Sequence, residues 1–383
     1  MMNEKEMTAP DVSVGADTEQ SSKTYNTSII PNGNENSNGF DENYEDLEQE
    51  IRNMMDPTYL KTVTLSKLYD TTYLDSPPII ENLLYPGTYI FSGSPKVGKS
   101  FLMAQLAYHI STGTPLWDHP VRKGTVLYLA LEDGYSRLQK RLYRMVGGEG
   151  NDNLHFAITS DKLGSGLEEQ LNRFLDEHPD TRLVIIDTLI KIRDDTDDKY
   201  SYASDYKVIS QLKAFSDSRN ICLLLVHHTR KEKAADIFEM ISGTNGLAGA
   251  ADGSFVLYKE SRLSSTATLE IVGRDQTDQK LIVSRDPEKL CWNLEEVEAG
   301  PYQEPPEPLL ELVAQKITPD NPSWEGSPTS LAQWLEVDMK PNTLSLKLNI
   351  FASRLMNEYR ILYKNVRTHE GRRITLTLQP DPA

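Results

Sequence analysis

The eight residues GSPKVGKS, at positions 93–100, constrain this chain more than any other stretch of its sequence. They follow the apolar run TYIFSG, which predicts a strand, and precede FLMAQLAYHI, whose apolar spacing predicts a helix. The stretch fits the pattern G-x-x-x-x-G-K-[ST]. Its glycines let backbone N–H groups close around an anion, and the N-terminus of the following helix adds partial positive charge. A strand, a glycine loop and a helix in this order predict a phosphate-binding loop.

The chemistry of this loop points to a nucleoside triphosphate. A lysine at this position reaches the β and γ oxygens, and the following hydroxyl binds Mg²⁺. The apolar run LVIIDT ends in Asp187, a carboxylate suited to holding Mg²⁺ through water. Ser100 and Asp187 are therefore the predicted metal residues. The predicted nucleotide-binding residues are Gly93, Ser94, Pro95, Lys96, Val97, Gly98, Lys99, Ser100 and Asp187.

From residue 88 onward, apolar runs typical of strands alternate with amphipathic runs typical of helices. TYIFSG, TVLYLALED, RLVIIDT and ICLLLVHH are the predicted strands, and SRLQKRLYRM and SDYKVISQLKAFSDS are helices between them. This alternation predicts an α/β fold with a mostly parallel sheet covered on both faces. After residue 251 the runs ADGSFVLYKE, ATLEIVGRD, QKLIVSRD and KLCWNLE follow one another, which predicts an antiparallel extension of the sheet.

Composition and charge narrow the classes of protein to which the chain can belong. The formal net charge is −17, and residues 1–60 contain thirteen acidic but only three basic side chains. Residues 1–55 are predicted to be a disordered acidic tail. Two cysteines cannot form a disulfide framework, and neither a signal sequence nor a membrane-spanning run is apparent. The expected compartment is the cytoplasm, and bulk electrostatic coating of nucleic acid is disfavoured.

The strand tips supply the candidate catalytic groups. TVLYLALED ends in Glu132 and Asp133, and a carboxylate there can accept a proton from attacking water. Glu132 is the preferred base, with Asp133 a solvated neighbour or a helix cap; alternatively, both form an N-cap pair for the following helix. ICLLLVHH carries His227 and His228 to the same edge, where one can donate a hydrogen bond to the γ-phosphate, or both are structural.

The C-terminal part is predicted to be a separate module. Residues 56–298 are the predicted ATPase domain with its lead-in arm, 299–308 a linker rich in Pro and Glu, and 309–383 a winged-helix-like domain. SLAQWLEVD and TLSLKLNIFASRLMNEY read as helices, followed by a hairpin whose turn lies near Gly371. The hairpin carries basic side chains that could meet a DNA backbone or simply protect an edge: Lys364, Arg367, Arg372 and Arg373.

Taken together, these motifs resemble the RecA-like ATPases, and within them the RepA-like hexameric helicases of plasmids and other mobile elements. The matching stretches are GSPKVGKS, LYLALEDGYSRLQKRL, LVIIDT, and LLLVHHTRK followed by ISGTNGLAGAADGSFVL, over about residues 75–285. The resemblance implies ATP as the nucleotide, Glu132 as catalytic base and His228 as γ-phosphate sensor. It further implies a homo-oligomeric, hexameric ring with ATP between neighbours.

The resemblance also places an arginine finger, acting on the neighbouring subunit, at Arg274 in LEIVGRD; a surface arginine paired with Asp275 is the alternative. Two loops, 190–205 and 230–246, are expected to face the ring channel and contact single-stranded DNA. The second carries Arg230, Lys231 and Lys233, whereas the first is acidic and departs from a DNA-binding pattern.

Three functions therefore stay open from sequence. The first is a Mg²⁺- and ATP-dependent ring motor, a DNA helicase in the replication of a plasmid or mobile element. The second is a nucleotide-switched oligomer that recruits DNA or a partner without unwinding. A kinase is third, and it is disfavoured because Glu132, His228 and Arg274 together suit water attack and coupling between subunits.

Overall fold

A computed structural model describes residues 51–53, 55–193, 202–228, 238, 246–261, 263–274, 276–301, 304–369 and 371–380. The chain divides into two units, residues 1–64 and 65–383. In the first unit, the described residues 55–64 are exposed throughout. The predicted acidic tail lies almost entirely outside the described residues, and the second unit carries the sheet and the C-terminal helices.

A nine-stranded sheet organises the second unit, in the order β3-β2-β4-β5-β1-β6-β7-β8-β9. The first five neighbours in that order are parallel, and β6 pairs in parallel with β1. Strands β7, β8 and β9 extend the sheet in antiparallel fashion. The strands are β1 (Gly87–Gly93), β2 (Thr125–Ala130), β3 (Leu154–Ala157), β4 (Thr181–Asp187), β5 (Cys222–His228), β6 (Gly253–Tyr258), β7 (Thr266–Gly273), β8 (Gln279–Arg285) and β9 (Trp292–Ala299).

Helices cover both faces of this sheet, because consecutive side chains of each buried strand point to opposite sides. Ile185 of β4, for example, belongs to one apolar cluster and Ile186 to the other. The first cluster packs on α2, and the second packs on α4 and α5. The helices up to this point are α1 (Leu65–Asp70), α2 (Lys99–Thr112), α3 (Tyr135–Val146), α4 (Leu167–Glu177), α5 (Tyr202–Arg219) and α6 (Gly246–Ala250).

The α/β class with a mostly parallel sheet and an antiparallel extension is confirmed, with two differences in detail. The strand β6 was expected in the antiparallel extension, but it pairs in parallel with β1, since helix α6 rather than a preceding antiparallel strand leads into it. Strand β3 and helix α4 were not predicted. Every residue of β3 is only half-buried at the sheet edge, so its sequence lacks the strong apolar run of the central strands.

The C-terminal residues form a third apolar cluster of their own. Helices α8 and α9 pack on each other, and a three-stranded sheet in the order β10-β12-β11 closes the module. The single long helix expected at TLSLKLNIFASRLMNEY is instead two helices that meet at Phe351. The elements are α7 (Pro308–Lys316), β10 (Ser323–Gly326), α8 (Pro328–Leu335), α9 (Pro341–Ile350), α10 (Ala352–Tyr359), β11 (Ile361–Thr368) and β12 (Gly371–Leu378).

The end of α1 and the segment that follows it join this module to the main sheet. The backbone carbonyl of Tyr69 accepts a hydrogen bond from the Asn349 amide at 2.7 Å, and the backbone N–H of Asp75 donates to the Ser353 hydroxyl at 2.8 Å. One residue further on, the Ser76 hydroxyl donates to Asn220, just before β5, at 2.6 Å. Residues 69–76 therefore link the C-terminal module to the main sheet, and we call them the strap.

None of the described helices combines the length and the apolar character that crossing a bilayer requires.

Candidate nucleotide site

Two glycines shape the loop between β1 and α2 for reasons that the motif alone did not reveal. Gly98 has φ 113°, in a region that L side chains rarely adopt, and a Cβ there would lie 2.7 Å from the ring of Trp292. A Cβ at Gly93 would lie 2.4 Å from the carbonyl oxygen of Leu257 in β6. The neighbouring strands therefore press on the loop, and larger residues at either position require the loop to move.

Trp292, which sequence reasoning treated only as part of a strand, anchors the loop to β9. Its indole N–H donates to the Gly98 carbonyl at 3.3 Å, and its backbone N–H donates to the Gln105 side chain at 2.7 Å. The Gln105 amide donates back to the Trp292 carbonyl at 2.9 Å. Strand β9 is thus clamped to α2 beside the phosphate loop, a contact between positions 187 residues apart that no local pattern could indicate.

Lys99 lies within the loop and contacts the tip of β5. Its Nζ donates to the carbonyls of Gly93 and Ser94 at 2.7 and 3.2 Å and lies 3.0 Å from Nδ1 of His228. Because an ammonium group can only donate, Nδ1 must accept and the His228 proton sits on Nε2. His228 therefore has an N–H that can turn toward an anion. This contact distinguishes His228 from His227; strand position alone did not, whereas the family resemblance pointed to His228.

Burial keeps both histidines neutral near pH 7. Burial, with the neighbouring His228 next in importance, lowers the pKa of His227 to about 4. Burial and the Lys99 cation lower the pKa of His228. Burial also lowers the pKa of Lys99 to about 8, while the carboxylates of Asp187 and Glu132 oppose that shift. The site thus holds the Lys99 amine, whose pKa is lowered, beside two neutral imidazoles. A bound polyanion would raise the pKa of Lys99 and favour its charged form.

Nucleotide affinity is expected to fall as the pH rises past about 8, the lowered pKa of Lys99. The nucleotide-free protein then loses the Lys99 proton, whereas a bound triphosphate favours the charged form, so binding must take up a proton. Above the lowered pKa the affinity should drop by up to about tenfold per pH unit. A titration with a fluorescent ATP analogue from about pH 7 to 9.5 measures this. Lys99→Arg, whose charge does not titrate in this range, should give a flat profile; a flat wild-type profile would contradict the assignment.

Asp187 lies at the tip of β4, next to the first turn of α2. The Tyr128 hydroxyl donates to its Oδ2 at 2.9 Å, and the carboxylate side chain is buried. Burial, followed by the Asp187 charge, raises the pKa of Tyr128 well above its usual value, and a hydrogen bond with Ser100 opposes that shift. Tyr128, another residue that sequence reasoning missed, therefore links the two predicted metal residues, Ser100 and Asp187.

Glu132 faces the same strand tips. The Thr188 hydroxyl donates to its Oε1 at 3.0 Å, so the carboxylate is held by the residue that follows Asp187. Glu132 does not cap α3: the N-cap residue is Gly134, and no side chain bonds to the helix there. The reading of Glu132 as part of a helix-capping pair is therefore wrong, and its carboxylate remains available beside the phosphate loop.

Asp133 is neither solvated nor the N-cap. Its carboxylate pairs with Arg141 at 2.7 Å and with Arg137 at 3.3 Å, and only 11% of its side chain is exposed. The physical reason is helical spacing, since α3 carries both arginines past the strand tip. The two acids of the pair therefore differ: Asp133 is neutralised by arginines, whereas Glu132 is held by a hydroxyl.

Two guanidinium groups flank the first turn of α2. Arg141 and Arg285 each lie 4.9 Å from the centre of the Phe101 ring. Arg285 also stands close to Gly98, 3.5 Å from where a Cβ would be. Cation–π contacts order both arginines beside the loop. Their positive charge adds to that of the loop, and sequence spacing gave no sign of it because Arg141 and Arg285 come from α3 and β8.

Arg274 is not part of this cluster. It follows β7, whose last residue Gly273 pairs with Gly253, and Gly253 in turn pairs with Tyr89 near the start of β1. The phosphate loop begins at the far end of β1, roughly 13 Å along the strand. The exposed Arg274 guanidinium donates to the Gly249 carbonyl at 3.0 Å. The structure thus joins Lys99, Ser100, Glu132, Asp187 and His228 but leaves Arg274 at the opposite edge of the sheet.

Several predicted features lie outside the described residues. They are Asp275, the middle half of the loop at 190–205, and nearly all of the loop at 230–246 with Arg230, Lys231 and Lys233. The predicted contact of these loops with single-stranded DNA stays a prediction.

The residues present fit a nucleotide with Mg²⁺. The glycine cradle, the buried ammonium of Lys99 and the Ser100 and Asp187 oxygens are the donor set that a metal triphosphate uses. Across the described ranges no three His, Cys, Asp or Glu side chains converge on one point. A Mg²⁺ ion here would therefore share its ligands among Ser100, Asp187, water and the phosphates rather than sit in an all-protein cage.

Residues 56–234 match a protein-family model described as an AAA domain (AAA_25). No curated protein matches the chain. Among solved structures, one ATPase domain is 14% identical, with 68% of this chain and 100% of that chain covered and a TM-score of 0.48. A DnaB-like replicative helicase, solved with its interactions with primase, is 13% identical over 66% of this chain and 71% of that one, with a TM-score of 0.48.

A KaiC-like protein, PH0186 from Pyrococcus horikoshii OT3, is 14% identical over 59% of this chain and 99% of that one, with a TM-score of 0.42. The class is set by the chain's own features: the sheet order, the phosphate loop after β1 and the acidic tips of β2 and β4. Fold and site together define an α/β core with a phosphate-binding P-loop and acidic strand tips beside it.

Proposed function

We propose that this protein hydrolyses ATP as a ring-forming ATPase and acts on DNA as a RepA-like helicase in the replication of a plasmid or mobile element. The observation that supports hydrolysis is the convergence of Lys99, Glu132 and His228 on the carboxyl edge of the sheet. Phosphoryl transfer needs positioning and charge stabilisation, and this edge offers a cation, a carboxylate and a neutral N–H donor.

Each group has a distinct part in the proposed reaction. Glu132, held by Thr188, accepts the proton of the attacking water while its own position stays fixed. Lys99 leaves the carbonyls of Gly93 and Ser94 to bind phosphate oxygens. The Nε2–H of His228 donates a hydrogen bond to the γ-phosphate. Its Nδ1 accepts from Lys99, so the imidazole also responds when Lys99 turns to the phosphates. Bound Mg²⁺, held through Ser100 and Asp187, would neutralise phosphate charge.

Arg274 fits a role on a neighbouring subunit, because it lies too far from its own loop to reach a phosphate there. Arg274→Ala is expected to lose most ATP turnover, by roughly 10³-fold, while keeping nucleotide affinity. Adding Lys99→Ala subunits, which retain Arg274, should restore part of the activity in mixed rings. Turnover measured across mixing ratios checks this, and a strictly proportional loss without rescue would contradict action in trans.

A nucleotide-switched oligomer without unwinding activity is the second candidate. The observation that favours it is the sequence of the predicted channel loop at 190–205, where Asp194, Asp195, Asp197 and Asp198 would repel a DNA backbone. In that case ATP sets the assembly state and the C-terminal module recruits DNA or a partner.

The experiment that separates the two is ATP hydrolysis by the full chain over a titration of single-stranded DNA, with native mass recorded in the same buffer. Stimulation by DNA in a ring-sized assembly supports the helicase. Hydrolysis that ignores DNA, in a protein whose native mass changes with ATP, supports the switch. A monomer under all conditions would contradict both candidates. If the full chain does not hydrolyse ATP in the presence of Mg²⁺, the proposed ATPase site is wrong.

A further inference from the structure

The strap covers the C-terminal end of α9, the second helix of the α8–α9 pair. In helix-turn-helix modules, that helix makes the base contacts. Asn349, near the C-terminal end of α9, donates to the Tyr69 carbonyl and accepts from the Thr72 hydroxyl at 3.0 Å. Ser353, at the start of α10, accepts from the backbone N–H of Asp75. Asn349 and Ser353 are only 4% and 7% exposed. This end of α9 is therefore closed to nucleic acid, and the neighbouring hairpin offers a separate surface.

The tip of the β11–β12 hairpin presents two arginines directly opposite each other. Arg367 and Arg372 are cross-strand partners, on the same face as the core residues Tyr363 and Ile374. Like charges opposite each other on antiparallel strands are destabilising unless a counter-charge is near. Arg372 pairs with Asp70 of α1, which leaves the Arg367 charge for another anion, because no carboxylate among the described residues pairs with it.

Helix α1 completes a recess at this tip. A volume of about 500 Å³ lies between α1 and the hairpin, lined by Lys67, Asp70, Thr71, Asn365, Arg367 and Arg372. Among the described lining residues, Lys67, Arg367 and Arg372 are basic and Asp70 is acidic, in a chain whose net charge is −17. The other two basic residues of the hairpin, Lys364 and Arg373, lie on the opposite face, where Arg373 pairs with Glu325 at 2.9 Å.

We propose that this recess binds the phosphate backbone of a nucleic-acid strand, and that Asp70 competes with the phosphates for Arg372. Arginine and lysine at a concave surface match phosphate geometry, and non-specific contacts of this kind need no base-reading helix. The choice of a nucleic acid as ligand rests on the proposed action on DNA. Asp70 then tunes affinity: with the strand absent it holds Arg372, and with the strand bound it loses this partner.

The test uses charge changes of opposite sign within one ion pair. Asp70→Asn and Arg372→Gln both break the same exposed contact, so they perturb folding alike, but they should move DNA affinity in opposite directions. Binding of a labelled single strand of about 30 nucleotides to the full chain, measured by anisotropy over a salt series, gives both affinity and salt slope. Asp70→Asn is expected to bind about threefold to tenfold tighter, and Arg367→Gln with Arg372→Gln about tenfold or more weaker, with a salt slope smaller by about two phosphates.

Lys364→Gln with Arg373→Gln, which removes the same charge from the opposite face of the hairpin, is the matched control and should bind within about twofold of wild type. Equal losses in the two double variants, or weaker binding by Asp70→Asn, would overturn the recess. ATP hydrolysis without DNA is measured in parallel and should be unchanged in all of them. Intact hydrolysis with no DNA binding by the wild type would overturn this inference while leaving the ATPase standing.

Discussion

Replacing Glu132 with glutamine is expected to lower ATP turnover by roughly 10²- to 10⁴-fold while nucleotide affinity stays within about threefold of wild type. The side-chain amide oxygen can still accept the Thr188 hydroxyl that now bonds to Oε1 at 3.0 Å, so the local geometry should survive. What is lost is the ability to take a proton from water. Single-turnover hydrolysis and equilibrium binding of ATP with Mg²⁺, measured on the same preparation, separate the two effects.

Asp133→Asn is the matched control, since it changes the neighbouring carboxylate by the same atoms. Asp133 holds Arg141 at 2.7 Å, and Arg141 lies over Phe101 beside the phosphate loop. Its loss should therefore raise KM more than it lowers kcat. If Asp133→Asn abolished turnover and Glu132→Gln did not, the base would have to be reassigned to Asp133.

Replacing Lys99 with alanine is expected to bring ATP turnover below detection and to weaken nucleotide binding by roughly 10²-fold or more. Among the described residues, its ammonium is the cation that lies inside the glycine cradle, bonded to Gly93 and Ser94 and next to His228. Charge-assisted hydrogen bonds to phosphate are among the strongest in a protein. Isothermal titration with a non-hydrolysable ATP analogue measures the loss directly.

A folding defect is distinguishable from a binding defect at this position. Burial lowers the pKa of Lys99 to about 8, so below that pH the folded chain carries a cation that its surroundings disfavour. Removing it should not lower the melting temperature of the nucleotide-free protein. Lys140→Ala, which removes an exposed lysine of α3 outside the phosphate loop, is the control and should keep binding and turnover within about threefold. Normal turnover by Lys99→Ala would remove the phosphate-loop assignment.

Local sequence patterns were sufficient wherever short-range spacing decides the structure. GSPKVGKS between an apolar run and a helical run placed the loop and the first residue of α2, because glycine freedom and helix initiation are local effects. The central strands were readable because both of their faces are buried, which requires continuous apolar runs. Edge strand β3, half exposed, had no such run and escaped prediction.

The candidate site shows where this reasoning stops. That Glu132, Asp187 and His228 end neighbouring strands follows from the alternation of strands and helices, and their meeting at one edge is a property of parallel sheets. For adjacent residues the sequence gave only a preference, for Glu132 over Asp133 and, by family resemblance, for His228 over His227. The physical difference within each pair comes from the tertiary partners Lys99, Thr188 and Arg141.

The sequence by itself determined the class of this protein, because a phosphate loop and buried strands depend on residues that are neighbours in the chain. Tertiary structure alone decided what surrounds that loop. Trp292 meets Gly98, and Asp70 meets Arg372, across 194 and about 300 residues respectively. Contacts of that range depend on the order of the strands in the sheet and on the strap that holds the C-terminal module, and local periodicity encodes neither of them.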